Sequence, residues 1–291
     1  MSASSAVAPI GLAKLKRNTD WQKLERWNWP GRISFISHGV QTAIQVTEPA
    51  ALVPIKLRLP PGSCESEDRG STPQYSLVVG NEMGPPALER LNLLFRGKAL
   101  IAAAYKLEPV LGALESDLDL RVASQAGPER IFIRVGVVGW QGRAIVVGGE
   151  PRGGTSTLVA AMLRAGASYY SDQYAVLDSR GWVYPYARPL WLSSGARGNP
   201  VRYRPEELGS TAGMEAQKVG TVVFVSYRPG ARQWLIRLEQ STVEADLMDY
   251  AVCARQYQRE AQSAVSKALA GARIFRGVCG EADSFVDLLL R

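Results

Sequence analysis

The middle of the chain constrains its fold most: an apolar run over 144–147 opens onto Gly149-Glu-Pro-Arg-Gly-Gly-Thr-Ser156, and a helical pattern follows at once. Over 157–165, Leu158, Ala161, Met162 and Ala165 share one face, and Gly166 stands where a helix C-cap belongs. Strand, glycine-rich loop and helix in that order aim a helix N-terminus, with its unpaired N–H groups and partial positive charge, at an anion. The letters fit the frame G-x-x-x-x-G-K-[ST], with Thr155 in the lysine position. In the intact frame the glycines let backbone N–H groups curl around phosphates, the lysine reaches the β- and γ-phosphates, and the hydroxyl holds Mg²⁺. A glycine-rich turn that binds nothing would carry the same letters, so the loop by itself leaves both alternatives open.

Length and composition set the frame around this loop. With 291 residues, the chain is expected to form two unequal domains. Hydrophobic residues make up 46 % and charged ones 21 %, as in an ordinary globular protein, and no apolar run approaches the roughly 18–20 residues of a membrane span. Residues 1–10 lack a basic region ahead of a long apolar stretch, so no secretory leader is expected. Cys64, Cys253 and Cys279 lie far apart without a CxxC pair, which argues against a disulfide framework or a zinc site and for the cytoplasm.

A net charge of +7 and a pI near 9.4 raise the question of nucleic acid, but the arginines are scattered and only Lys14, Lys16 and Arg17 form a dense patch. A solvated basic surface is the preferred reading. His38 has no Ser or Cys context that would suggest a triad and receives no catalytic role. Trp182, Trp191 and Trp234 read as packing residues rather than base-stacking platforms, because no basic aromatic groove pattern accompanies them.

Along the chain, Ile33, Phe35, Ile44 and Val46 alternate with polar residues across His38-Gly39, which predicts a hairpin. Residues 60–73 are nearly free of apolar side chains and predict a surface loop. Strands are predicted over 75–79 and 93–95, with a turn over 80–86 between them. Val110, Leu111, Leu114 and Leu118 predict a helix over 108–120, and the breaker Gly127-Pro128 marks the expected domain boundary. Beyond it, strands over 131–138 and 143–147 flank a hairpin-like Gly139-Trp-Gln-Gly142. A buried strand is predicted over 221–227. Ser241-Thr-Val-Glu244 has capping-box spacing and predicts a helix start, with helix continuing to about 270. A strand over 273–278 and a helix over 283–290 close the chain.

The order of these motifs resembles a known family. From Phe132, the run Gly136-Val-Val-Gly139, the phosphate-loop frame, Tyr169-Tyr-Ser-Asp172, the strand ending at Asp178, and Tyr184-Pro-Tyr-Ala-Arg188-Pro-Leu190 resemble the catalytic core of HPr kinase/phosphorylase and of bacterial HPr-kinase-related proteins. Tyr227-Arg-Pro-Gly230 matches those relatives, and Tyr75-Ser-Leu-Val-Val-Gly80, Arg96-Gly97 and Leu114-Glu-Ser-Asp-Leu118 resemble their long form. The resemblance implies an α/β protein with a P-loop phosphotransferase core over 129–291 and a small α+β domain over 1–128. It implies ATP and Mg²⁺ as cofactors, held at Gly149, Arg152, Gly153, Gly154, Thr155, Ser156 and Thr157. It further implies Ser156 and Asp172 at the metal, and Asp172 as the carboxylate that serves the attacking hydroxyl.

Three positions depart from the family pattern. Thr155 replaces the lysine, Gln173 replaces a second acidic residue after Asp172, and Arg134 stands where relatives tend to carry histidine. Arg152, inside the loop, is the candidate substitute cation, since a guanidinium binds phosphate in bidentate geometry. Arg188 and Arg228 each follow a predicted strand, near where ligands collect in α/β sheets. The expected function is an ATP-dependent serine kinase-like phosphotransferase acting on a protein or peptide. The alternative is a catalytically impaired pseudokinase that binds nucleotide or a partner. A homo-oligomer is compatible with both, and neither calls for a membrane or nucleic acid.

Overall fold

The computed structural model describes residues 27–67, 70–80, 91–149, 153–193 and 200–290. The chain divides into two compact units, Met1–Val122 and Ala123–Arg291, with the break ahead of Gly127-Pro128.

The first unit is a six-stranded sheet in the order β3-β1-β2-β4-β5-β6, built from β1 (Gly31–Ser37), β2 (Val40–Val46), β3 (Cys64–Glu65), β4 (Tyr75–Val78), β5 (Asn92–Arg96) and β6 (Ala99–Ala104). The β1–β2 hairpin closes at His38-Gly39, whose φ angles of 47° and 79° give the two left-handed residues that a tight twisted hairpin needs. Among the described residues, two α-helices accompany the sheet, α1 (Leu52–Lys56) and α2 (Leu107–Gln125). From α2, Val110, Leu111, Leu114 and Leu118 join Phe35, Ile44 and Leu77 in one buried cluster. The helix runs longer than the predicted 108–120. One prediction is corrected here, and one strand is added. Cys64–Glu65, expected in a surface loop, pairs with β1 because that strand's outer edge still offers backbone groups, and Ser66 N–H donates to Ser34 O at 2.8 Å. The alanine-rich β6 was not predicted at all, since Ala has low strand propensity and pairing with β5 decides the matter. Most of the predicted turn over 80–86 falls outside the described residues.

The second unit is an α/β sandwich. Its sheet contains β7 (Ile131–Ile133), β8 (Gly136–Trp140), β9 (Arg143–Gly149), β10 (Ser168–Ser171), β11 (Ala175–Leu177), β12 (Trp182–Tyr184), β15 (Gln217–Tyr227), β16 (Trp234–Arg237) and β17 (Arg273–Cys279). A separate hairpin, β13 (Leu190–Ser193) with β14 (Pro200–Tyr203), lies between β12 and β15 in sequence. At the centre, β9 pairs parallel with β15 and β15 parallel with β17. Continuous apolar runs such as Val222-Val-Phe-Val225 are what a strand covered on both faces requires. Val146, Val222 and Phe224 enter one buried cluster, whereas Val147, Val223 and Val225 enter the other.

Helices cover both faces. On the first face lie α4 (Gln240–Asp249) and α5 (Gln258–Leu269), with Val243, Leu247, Ala261, Val265 and Leu269 buried. On the second lie α3 (Thr155–Arg164) and α6 (Ala282–Leu289), which bury Leu158, Val159, Met162, Phe285 and Val286. Each such side chain contributes about 1.5–3 kcal/mol when fully buried. Helix α3 ends at Gly166, φ 98°, where Gly166 N–H bonds Leu163 O and Ala167 N–H bonds Met162 O, the paired closure that a left-handed glycine permits.

Several elements differ from the sequence prediction. The run over 131–138 splits at Arg134, whose N–H donates to Tyr250 O at 2.9 Å, and its halves β7 and β8 sit far apart in the sheet. The hairpin turn is Gln141-Gly142 alone. Helix α3 starts two residues earlier than predicted, at Thr155. Ser241 does not cap α4; Glu239 holds the cap position without a side-chain bond, because Leu238 N–H is still tied to Ile274 O at 2.9 Å and the chain leaves the sheet only there. The predicted helix to 270 breaks between α4 and α5, and β16 was not predicted.

Phe285 has no exposed surface and packs among α3, β15 and β17. Phe285→Ala is expected to destabilise the second unit by about 3–5 kcal/mol, measured as a lower urea midpoint at unchanged slope.

Candidate functional site

The loop after β9 owes its first glycine to the sheet. A Cβ on Gly149 would lie 2.6 Å from Val225 O, and one on Gly148 would lie 2.7 Å from the Phe224 ring, so both glycines let β9 approach β15 and its side chains closely. Tyr250 braces the same point: its ring stacks on Phe224 at 6.3 Å, and its hydroxyl donates to Gly149 O at 3.3 Å. Arg152 lies outside the described residues. Gly153 is half-buried, and Gly154 takes φ 85° as the N-cap of α3, a conformation suited to glycine. No side chain caps this N-terminus, so the first N–H groups of α3 have no side-chain acceptor among the described residues.

Thr155 and Ser156 point in different directions. Thr155 sits over β8 and β9: its Cγ2 is 3.0 Å from where a Cβ on Gly136 would be, and its Oγ1 is 3.5 Å from the equivalent point on Gly149. Ser156 Oγ instead donates to Asp172 Oδ2 at 2.8 Å. The other carboxylate oxygen, Oδ1, accepts from the Tyr169 hydroxyl at 2.9 Å, and that hydroxyl accepts from Asp172 N–H at 3.1 Å. The register shift between Tyr169 and Ser171 explains how residues three apart meet, since strict alternation would send them to opposite faces. Ser171 Oγ accepts from the N–H groups of Gln173 and Tyr174 and thereby shapes the turn. Gln173 and Thr157 are exposed, with their side chains outside this cluster.

The electrostatics turn on burial. Asp172 is 9 % exposed, and burial pushes its carboxyl above the ordinary value, although the bonds from Ser156 and Tyr169 pull it down. Hydrogen bonds to a charged acceptor contribute about 1.5–3 kcal/mol each, and desolvation still outweighs them here. Burial also raises the Tyr169 hydroxyl, with Asp172 beside it acting in the same direction, while the charge of Arg188 acts in the opposite one. Arg188 is only 4 % exposed, so a permanent cation is buried within electrostatic reach of Tyr169. Arg228 is exposed at the end of β15, its N–H on Cys279 O at 2.9 Å. In the sequence Tyr169 stood within a resemblance motif without a role of its own, since its contact depends on the bulge; Arg188 stood in such a motif and as a cation after a predicted strand.

Because the folded carboxyl of Asp172 holds its proton more tightly than the unfolded one, its contribution to stability is present at low pH and is lost as pH rises from the ordinary 3.8 through the raised value. Asp172→Asn removes this titration. The melting-temperature difference between the variant and the parent is expected to move in the variant's favour between pH 3 and pH 8, and a pH-independent difference would contradict the assignment.

Among the described residues, no group of three or more His, Cys, Asp or Glu side chains is placed to hold a metal, and no helix is long and apolar enough to cross a membrane. No family model matches the chain, and no curated protein matches it. Among solved structures, the chain is similar to the Hpr(Ser) kinase/phosphatase from Coxiella burnetii, with 11 % identity over 55 % of this chain and 93 % of that one, at a TM-score of 0.27.

Proposed function

We propose that the second unit is an ATP-dependent phosphotransferase of the HPr-kinase type, which transfers a phosphoryl group to a serine hydroxyl of a protein or peptide. One observation carries this reading: Ser156 and Asp172 are hydrogen-bonded at 2.8 Å beside the uncapped N-terminus of a helix whose N-cap is a left-handed glycine. The motif order from Gly136 to Arg188 supports it. Phosphoryl transfer asks little covalent help from a protein; it needs anion-facing donors, a placed carboxylate and fixed positive charge.

The residues fit those needs unequally. The first N–H groups of α3, which no side chain caps among the described residues, supply anion-facing donors. Asp172 and Ser156 offer one carboxylate and one hydroxyl, which suits Mg²⁺, a cation that takes few protein oxygens and completes its shell with water and substrate phosphate. When bound, Mg²⁺ would neutralise charge on the nucleotide phosphates. Asp172, whose carboxyl burial raises above the ordinary value, accepts the proton of the attacking hydroxyl, and Tyr169 holds its other oxygen in place. Arg188 supplies a fixed cation in a site that lacks the lysine.

A second reading, a binding module without turnover, is favoured by Thr155, whose uncharged side chain is turned toward Gly136 and Gly149, and by the exposed Gln173.

Mg²⁺-dependent ATP turnover in the presence of serine-containing acceptors separates the two. Under the phosphotransferase reading, Ser156→Ala and Asp172→Asn each lower the rate by about 100-fold or more. Absence of turnover in the parent, together with calorimetric ATP binding that appears only in Thr155→Lys, would replace this reading with the binding module.

A further inference from the structure

The sheet order β10-β8-β9-β15 sets the residues around the start of α3 in a row on the face that carries this helix. Asp172 follows β10, and Ser156 reaches it from the first turn of α3. Thr155 lies over β8 and β9, and Gly154 comes next, against β15. At the far end stands Tyr227. Val223 and Val225 of β15 are buried against α3, and alternation puts Tyr227 on the same face, two residues beyond the last pairing of β15 with β9. Its neighbour on β17, Cys279, enters the same buried cluster. The Cβ and Cγ of Tyr227 lie 3.3 Å and 3.6 Å from where a Cβ on Gly154 would be, so the ring stands directly beside the glycine that opens α3.

The Tyr227 side chain is 45 % exposed, and among the described residues neither its hydroxyl nor its ring has a hydrogen bond or ring contact. The other exposed aromatic rings described in the second unit are placed differently. Trp191 lies under the Arg202 guanidinium, 5.8 Å from the ring centroid. Trp234 pairs with Val278, which alternation sets on the face of Ile274, away from α3.

We infer that Tyr227 is the platform on which the base of a nucleoside triphosphate stacks. The direction in which the nucleotide lies rests on the phosphotransferase reading. There Asp172 serves the acceptor hydroxyl, so the terminal phosphate belongs at the β10 end, the phosphate chain crosses the first N–H groups of α3, and the nucleoside leaves toward β15. β10 and β15 stand three strand intervals apart, about 14 Å. That span exceeds a bare triphosphate and is within the reach of a nucleoside triphosphate. An aromatic face holds a base by stacking, an interaction that a phosphate chain alone does not offer. Tyr227 therefore gives a nucleotide an advantage over its triphosphate.

The test is isothermal titration calorimetry of the full chain with Mg²⁺ and either ATP or inorganic tripolyphosphate. The parent is expected to bind ATP more tightly than tripolyphosphate. Tyr227→Ala is expected to weaken ATP about tenfold and to leave tripolyphosphate within about twofold of the parent. The retained tripolyphosphate affinity shows at the same time that the variant is folded with its loop in place. Tyr227→Phe, which keeps the ring, is expected to bind ATP as the parent does. Equal binding of the two ligands by the parent, equal losses of both in Tyr227→Ala, or a loss in Tyr227→Phe as large as in Tyr227→Ala would overturn the inference, and so would silence of the parent toward both. The expected binding pattern without ATP turnover would sink the phosphotransferase reading alone, and turnover with ATP binding untouched by Tyr227→Ala would sink the platform alone.

Discussion

The close approach of β9 to β15 is the constraint on which the second unit depends. Gly148 yields its side-chain space to Phe224, and Gly149 lies so near Val225 O that any Cβ would separate the strands. This approach sets the level at which the chain leaves the sheet, and hence where Gly154 and the first turn of α3 come to rest. Tyr250, stacked on Phe224 and bonded to both Gly149 O and Arg134 N–H, ties the turn after α4 to the same point. Packing in the sheet beneath it thus holds the candidate site in place.

Above that base, the balance between solvation and hydrogen bonding gives the site its character. Both oxygens of Asp172 are engaged by hydroxyl donors, yet burial dominates and raises the carboxyl. Arg188 provides permanent charge nearby without an exposed side chain. Thr155 brings no charge to the start of α3, and the charges placed there among the described residues come from the segments after β10 and after β12.

Much of this was legible in the sequence, for identifiable reasons. The β1–β2 hairpin, α3 and the central strands β9, β15 and β17 carry strong periodicity or continuous apolar runs, which burial enforces. Ser156 could be named from the frame of the glycine-rich loop, and Asp172 only through the resemblance of Tyr169-Tyr-Ser-Asp172 to a known core. Elements that depend on partners could not. β16 is four residues, Trp-Leu-Ile-Arg, without alternation, and exists because β17 offers an edge. β6 is mostly alanine and is held by β5. Ser241-Thr-Val-Glu244 has the letters of a cap, but the ladder bond at Leu238 determines where α4 begins. Tyr169 meets Asp172 only through a register shift that no sequence pattern announces.

The central pairing also has a consequence for the order of assembly. Ala144 of β9 pairs with Val219 of β15, a separation of 219 − 144 = 75 residues. At roughly 5–20 residues per second of synthesis, β9 emerges several seconds before the strand that fixes it. The β1–β2 hairpin closes over two residues, whereas the glycine-rich loop waits for a distant segment, and non-local pairings of this type form slowly. The glycine-rich loop is therefore completed late in nascent chains, and a chain truncated before Gln217 would carry the loop, the helix and Asp172 without the strand that sets the loop's place.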